Sequence, residues 1–331
     1  MFLRRFRQTG PDIIIMIFII SVLVWLASFI HPQQISPQSP YERPMPLFGI
    51  LLKITYLGPF VTTLFAFILV QLIEFLLVSF NTSDFFIEER TFLPALLYIL
   101  IGGIFIKEQT LNPALPAAIF LIMGSRRIMD SYKVQGVAGC LFDAGLWIGT
   151  GSLFYFNLIW FGPLLIIGIA LLRTGSPKEI IISLLGLLTP LFLVYGVLYI
   201  SGKDFAGLVS DAGYNLFGRT EPYKFSVTEI VALITVGIVF IMSMVKLLPS
   251  LGVKKIRSRK TFNLLIWTLI ISGIVYYFSR SASVELIWLA GIPSSFIITH
   301  YFVFAKGKLI PEILFLALFM AIAAVQILAR T

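Results

Sequence analysis

The chain has 331 residues, of which 58% are hydrophobic and 12% charged, and its mean hydropathy is +0.97. Soluble domains are about 45–50% apolar and about 25% charged, so this composition excludes an ordinary soluble protein. The net charge of +9 indicates basic residues at a membrane surface rather than a nucleic-acid partner. Apolar runs that would cross a ~30 Å hydrocarbon core recur throughout, which predicts an all-α, polytopic transmembrane helix bundle forming a single integral membrane domain over residues 1–331.

The first predicted element is a signal anchor. Arg4, Arg5 and Arg7 precede the apolar run 13–30, which is too long for a cleaved signal peptide and lacks a small-x-small cleavage site. The N-terminus is therefore expected inside, and the proline-rich segment 31–46 is expected to be an outer loop.

Ten further spans are predicted, at about 59–80, 92–106, 113–123, 134–153, 156–172, 179–200, 227–247, 262–278, 284–304 and 309–328. About eleven spans with the N-terminus inside and the C-terminus outside place most basic residues in the cytoplasm, as expected in a bacterial inner membrane. Segments 92–106 and 113–123 are short, so re-entrant hairpins are the alternative. Segment 201–226 is the longest predicted outer loop.

Asp143 is the predicted intramembrane polar residue. It lies about nine residues into its span, roughly 13 Å along the helix and near mid-bilayer. An ionisable side chain at that depth indicates a proton or cation site, or else a hydrogen-bonded carboxyl that ties two helices together. Glu74 is the next candidate for an ionisable residue within a predicted span. Residues that would let a neighbouring helix approach recur at helical spacing: Gly136, Gly139, Trp147 and Thr150.

Basic residues mark the predicted cytoplasmic face. Arg126 and Arg127 end a predicted helix, and the basic cluster 254–260 joins two later spans. Guanidinium groups bind lipid phosphate in a bidentate manner, whereas the simpler interpretation is a positive-inside anchor.

Two acids in the predicted outer loops are the candidate catalytic residues. Glu42 stands beside Arg43, and Glu108 stands beside Lys107. A carboxylate at a lipid-facing site serves as a general base or a metal ligand, and nearby cations bind a lipid phosphate. The candidate phosphate-binding residues are Arg43, Arg219, Lys224 and Arg280. Ordinary interfacial charges are the alternative interpretation.

Cofactor motifs are absent from the sequence. The single cysteine, Cys140, excludes an intramolecular disulfide, and His31 and His300 are too far apart to suggest a His/Cys metal cluster. Phosphate-cradling and nucleophile-elbow motifs are also missing. No cofactor is evident, and a divalent cation bound by carboxylates remains open.

Residues 88–200 resemble an uncharacterised family of Bacteroidota polytopic inner-membrane proteins. The resemblance is carried by the successive segments ERTFLPALLY, NPALPAAIFLIMGSRRI and FDAGLWIGTGSLFYFNLIWF. The resemblance implies a location in the inner membrane, and it does not indicate an activity.

A weaker similarity is to the GT-C glycosyltransferase superfamily. The shared order is a first span, an outer loop with an acid, two spans, a second outer loop with an acid, and a helix that begins with Asn-Pro and ends in basic residues. The resemblance implies a polyprenyl-phosphate-linked sugar as donor, with Glu42 and Glu108 at the two acid positions. The chain departs from the pattern by having Glu instead of Asp in the first loop, and it has no DXD-like pair.

Three functions follow from these features. The first is a GT-C-like transferase that acts at the periplasmic face. The second is a non-catalytic membrane subunit of an envelope-assembly or secretion complex, with other membrane proteins as partners. The third is a transporter that uses Asp143 for proton coupling. All three have membrane lipids as partners and none involves nucleic acid.

Overall fold

The protein is seen in a computed structural model, which describes residues 2–33, 43–84, 86–132, 137–172, 176–219, 222–305, 307 and 309–328. These residues form fourteen α-helices: Phe2–Phe6 (α1), Pro11–Ile30 (α2), Pro46–Leu51 (α3), Pro59–Asp84 (α4), Leu93–Gly102 (α5), Ala114–Asp130 (α6), Ala138–Ser152 (α7), Pro163–Leu172 (α8), Pro177–Ile200 (α9), Phe205–Phe217 (α10), Val227–Ser250 (α11), Ile256–Phe278 (α12), Ile287–Phe304 (α13) and Leu309–Leu328 (α14). Four 3₁₀ helices join them, at Leu52–Leu57, Ile106–Glu108, Phe156–Phe161 and Val284–Leu286.

Seven helical segments in the described part of the chain are long and apolar enough to cross a membrane: Pro11–Ile30, Pro59–Ser83, Pro177–Ile200, Val227–Ser250, Ile256–Phe278, Val284–Phe304 and Leu309–Leu328. The chain is therefore an all-helical protein with several candidate membrane spans. The other four predicted spans correspond to the shorter helices α5, α6, α7 and α8. The total of about eleven spans and their orientation remain predictions.

Helices α5 and α13 lie at the centre of the fold. Every residue of α5 is buried, although this helix has only ten residues. Tyr98 of α5 donates a hydrogen bond from its hydroxyl to the carbonyl oxygen of Trp288 in α13, at 3.0 Å. The two rings also pack with their centroids 5.9 Å apart. A helix this short is stable here because its neighbours bury all of its surface.

Helices α7 and α9 approach each other closely at glycines. A Cβ atom at Gly145 or Gly149 would overlap the α9 backbone, at Ser183 or Leu187 respectively. A Cβ atom at Gly186 would overlap the carbonyl of Phe142 in α7. Small residues allow helix backbones to pack at such distances in membranes. At Gly139, which was predicted to lie in such a contact, no described neighbouring atom lies within 4 Å of a Cβ position, and Gly136 lies outside the described residues.

The bundle has two ends, and helix α6, which is about 25 Å long, runs from one to the other. The Glu108 end contains the 3₁₀ helices Ile106–Glu108 and Val284–Leu286, together with Tyr155 and α10. The Arg127 end contains the last turn of α6 and the first turns of α7. The backbone amide of Leu47 also donates to the carbonyl oxygen of Leu153, at 3.2 Å, which attaches α3 to the Glu108 end.

Candidate functional site

Glu108 lies in a connection that is held by its own hydrogen bonds. The side-chain amide of Asn112 donates to the carbonyl oxygen of Glu108 at 3.0 Å. The amide oxygen of Asn112 accepts from the backbone nitrogens of Ala114 and Leu115, at 3.1 and 3.2 Å. One asparagine therefore caps the start of α6 and fixes the backbone that carries Glu108.

Glu285 is the second carboxyl of this site, and its side chain is 6% exposed. Its Oε1 atom accepts hydrogen bonds from the hydroxyl of Tyr155, at 3.1 Å, and from the backbone nitrogen of Ser283, at 3.0 Å. Burial raises the pKa of Glu108, and the nearby charge of Glu285 raises it further. Burial also raises the pKa of Tyr155, followed by the charge of Glu285. Two carboxyl groups that repel each other in this way favour a state in which one of them holds a proton.

A second tyrosine–glutamate pair borders the first. The hydroxyl of Tyr223 donates to Oε1 of Glu229 at 2.6 Å, and the same Glu229 completes the capping box with Ser226 at the start of α11. The Tyr223 ring packs against Phe105, with centroids 5.4 Å apart, and Nζ of Lys107 lies 5.5 Å from the ring centroid. Burial and then the bond to Glu229 raise the pKa of Tyr223.

Neutral polar groups attach α10 to the rim of the site. Oδ1 of Asn157 accepts from the hydroxyls of Ser279 and Ser281, at 3.0 and 3.1 Å. The same hydroxyls are within 3.3 and 3.1 Å of the carbonyl oxygen of Leu216, in the last turn of α10. Because Arg280 lies between the two serines and Arg219 lies three residues after Leu216, both arginines belong to this rim.

The structure thus places the predicted phosphate-binding residues at the Glu108 end. Arg219, Lys224 and Arg280 are exposed there. Arg43 pairs with Asp211 of α10 at 3.4 Å, and its guanidinium lies 4.8 Å from the ring centroid of Tyr214. The other candidate catalytic residue, Glu42, lies outside the described residues.

An apolar cavity of about 370 Å³ has Val284 and Leu286, the chain neighbours of Glu285, in its wall, while the Glu108 and Glu285 side chains are not part of the wall. Ser283, whose backbone nitrogen donates to Glu285, is part of its wall, as is Phe105. The rest of the wall comes from α11, α12, α13 and the segment before α11, and includes Phe225, Leu233, Tyr276 and Ile287. The arrangement suits a ligand with an apolar tail and a polar group that reaches the carboxyls.

Asp143 occupies a different setting. Its Oδ2 atom lies 3.4 Å from a guanidinium nitrogen of Arg127, and the two side chains are 43% and 44% exposed. Arg127 also pairs with Asp130 at 3.7 Å, and Arg126 is half-buried. Helix α7 begins at Ala138, so Asp143 is in the second turn of its helix and close to the end of α6.

The partnership of Glu285 with Glu108 and Tyr155 was not predicted from the sequence. Glu285 falls at the very start of the predicted span 284–304, and 130 residues separate it from Tyr155. The serines around it and its position before an apolar helix are the available signals. Within the described part of the chain, no group of three or more His, Cys, Asp or Glu side chains could hold a metal ion.

Comparison with known proteins identifies the family of the chain. A family model described as a family of unknown function (DUF6427) matches residues 46–328, which is most of the chain. No curated protein matches, and no solved structure matches.

Proposed function

The chain belongs to the DUF6427 family of unknown function, and from the site above we propose that it is a membrane-embedded transferase with Glu108 as its catalytic base. The proposal is supported by one observation in particular. Two carboxyl groups that interact electrostatically, Glu108 and Glu285, lie beside an apolar cavity whose wall includes the chain neighbours of Glu285, and four exposed cations lie at the same end of the bundle. We place the protein in a bacterial inner membrane, with this end at the periplasmic face.

The substrate class follows from the surroundings of the carboxyls. A polyprenyl chain fits the apolar wall of the cavity, and the phosphate that joins it to a sugar fits Arg219, Arg280 and Lys224. This is the donor that a GT-C-like enzyme uses. Arg43 is a weaker candidate for phosphate binding, because its guanidinium already pairs with Asp211.

The proposed reaction is transfer of the sugar to an acceptor hydroxyl. Glu108 in its ionised form takes the hydroxyl proton while the acceptor oxygen forms a bond to the anomeric carbon. The bond from that carbon to the phosphate oxygen breaks, and the polyprenyl phosphate leaves with the electron pair. Arg219 and Arg280 stabilise the charge on the leaving group. Tyr155 positions Glu285, which sets the protonation of Glu108.

The test is Glu108→Gln, with Glu89→Gln as the matched control because Glu89 is exposed and lies outside this site. Membranes from cells that produce each variant are incubated, and the polyprenyl-phosphate-linked sugars that remain are quantified by mass spectrometry. Glu108→Gln should reduce their consumption by about 100-fold or more at unchanged protein abundance. Normal consumption by Glu108→Gln excludes Glu108 as the base, and no consumption by the wild type rejects the transferase.

The two other functions have less structural support. The ion pair of Asp143 with Arg127 favours a structural role for this acid over proton-coupled transport. A membrane subunit of an envelope complex requires a partner, and stoichiometric co-purification in mild detergent is the test of that role. A divalent cation at the Glu108–Glu285 pair is a further possibility for the transferase, and loss of consumption in a chelator would support it.

A further inference from the structure

Another buried carboxyl lies in a different part of the bundle from the candidate site. Glu74 of α4 is 5% exposed and accepts hydrogen bonds from the hydroxyl of Ser21, at 3.1 Å, and the side-chain amide of Gln71, at 3.2 Å. None of the described ion pairs includes it. Ionisable residues with neutral partners inside a membrane bundle commonly belong to proton pathways.

Two indole groups near Glu74 need hydrogen-bond acceptors. Trp25 lies one helical turn from Ser21 in α2, and its ring centroid is 6.3 Å from that of Trp288. Both tryptophans are fully buried, and neither Nε1 atom has a hydrogen-bond partner among the described residues. Since buried N–H groups are nearly always satisfied, ordered water is the expected acceptor.

Polar groups continue from these tryptophans to Glu108. The side-chain amide of Gln109 donates to the carbonyl oxygen of Val24 at 3.2 Å, and its Oε1 atom accepts from Ser28 at 2.8 Å. Gln109 is the residue after Glu108. Val24 precedes Trp25, so one glutamine connects the neighbourhood of the carboxyl pair to that of the indoles.

Helix α14 contributes to the same region. The side-chain amide of Gln326 donates to the carbonyl oxygen of Gly103 at 2.9 Å, while its buried Oε1 atom has no described partner. A Cβ atom at Gly103 would meet Val24, and one at Gly102 would meet Trp288. The unsatisfied oxygen of Gln326 therefore belongs to the region that contains the two indoles.

We propose that these groups line a narrow, water-accessible proton pathway from the Glu108–Glu285 pair to Glu74, which makes Glu74 an internal proton-binding site. Ser21 and Ser28 are about 10 Å apart along α2, a gap that a short chain of waters would bridge. The indole nitrogens of Trp25 and Trp288 and the Oε1 atom of Gln326 are the polar partners available to such waters. This pathway does not depend on the proposed transferase, because proton exchange with Glu74 needs no sugar substrate.

Infrared spectroscopy of the full chain in lipid nanodiscs tests the pathway. The carbonyl stretch of a protonated Glu74 is the band that disappears in Glu74→Gln. After transfer to D₂O, this band should shift within minutes in the wild type. Gln109→Met keeps the side-chain length but removes both polar atoms, and it should slow the shift by about tenfold or more. Gln71→Met is the control, because it also contacts Glu74 but lies off the pathway, and it should exchange like the wild type.

The outcomes separate clearly. Three results would each overturn the proposal. The first is a spectrum in which Glu74→Gln removes no carbonyl band. The second is a wild-type band that does not shift over hours in D₂O, and the third is an equal rate of shift in Gln109→Met and the wild type. If Gln109→Met does not fold, the indole protons of Trp25 and Trp288 provide the test in the wild-type chain by NMR, with signals assigned through Trp25→Phe and Trp288→Phe. We expect these protons to exchange with D₂O in minutes, and their retention overnight would exclude water from the pathway.

Discussion

The two ends of the bundle hold their acidic side chains in different ways. At the Glu108 end, Glu285 is 6% exposed and its described hydrogen bonds come from neutral donors. At the Arg127 end, Asp143 is 43% exposed and pairs with an arginine. An exposed ion pair costs little to form and contributes little to stability, whereas a buried carboxyl beside another carboxyl is costly.

This difference indicates where function is expected. Carboxyl groups whose pKa is shifted by burial and by a second carboxyl are concentrated at functional sites, and Glu108 beside Glu285 is such a group. The Arg127 end has a simpler explanation, because Gly186 of α9 packs closely against the backbone of Phe142 there. The comparison therefore predicts that helix packing stabilises the Arg127 end. It also predicts that the protonation of Glu108 and Glu285 determines the stability and activity of the Glu108 end.

The largest effect on stability should come from the α7–α9 contact. Gly186→Ala places a methyl group against the backbone of Phe142, so the helices must separate. We expect a loss of about 2–3 kcal/mol in the free energy of unfolding, measured by denaturation in mixed micelles. Gly196→Ala is the matched control in the same helix, since its Cβ position is open, and it should be neutral or slightly stabilising. Equal losses in both variants would contradict the packing explanation.

The Glu108 end should make stability depend on pH. The pKa of Glu108 in the folded state is raised above its ordinary value of 4.5. At pH values between 4.5 and this raised pKa, the folded state therefore binds more protons than the unfolded state. The contribution of Glu108 to stability is thus fully present at low pH and is lost as pH rises through its folded pKa. Glu108→Gln should flatten the fall in melting temperature measured between acidic and alkaline pH. The same slope in Glu108→Gln and wild type would show that Glu108 is not the titrating group.

A smaller effect is expected from the hydrogen bond between Tyr155 and Glu285. Tyr155→Phe removes the hydroxyl donor and leaves Oε1 of Glu285 with one fewer partner. The expected loss is about 1–2 kcal/mol in the free energy of unfolding, measured by thermal denaturation in detergent. Tyr56→Phe is the control, because Tyr56 is 89% exposed. A Tyr155 variant as stable as this control would mean that the bond contributes nothing.

The sequence was sufficient for the coarse architecture. Long apolar runs predicted a helical membrane protein, while the roles of Glu108, Arg219, Lys224 and Arg280 stay predictions about residues that the fold brings to one end. Partners distant in the chain could not be predicted, because the contact of Tyr155 with Glu285 depends on how α7 and α13 pack.

The positions of the helix boundaries are a second difference between the prediction from the sequence and the structure. The predicted span containing Asp143 begins at residue 134, whereas α7 begins at Ala138. Four residues change the depth of an acid by about 6 Å, which is enough to bring Asp143 near the end of α6. The close helix contact likewise uses Gly145 and Gly149 instead of the predicted face, because which side of a helix is packed is a tertiary property.

The smallest effect should come from Asp143 itself. Asp143→Asn removes one partner of Arg127, which retains Asp130. We expect a change of at most about 1 kcal/mol, and a double-mutant cycle with Arg127→Gln should give a coupling energy of about 0.2–1 kcal/mol that decreases with added salt. A coupling energy above about 2 kcal/mol would instead describe a desolvated ion pair. It would place the costly acid at the Arg127 end and return Asp143 to consideration as the functional carboxyl.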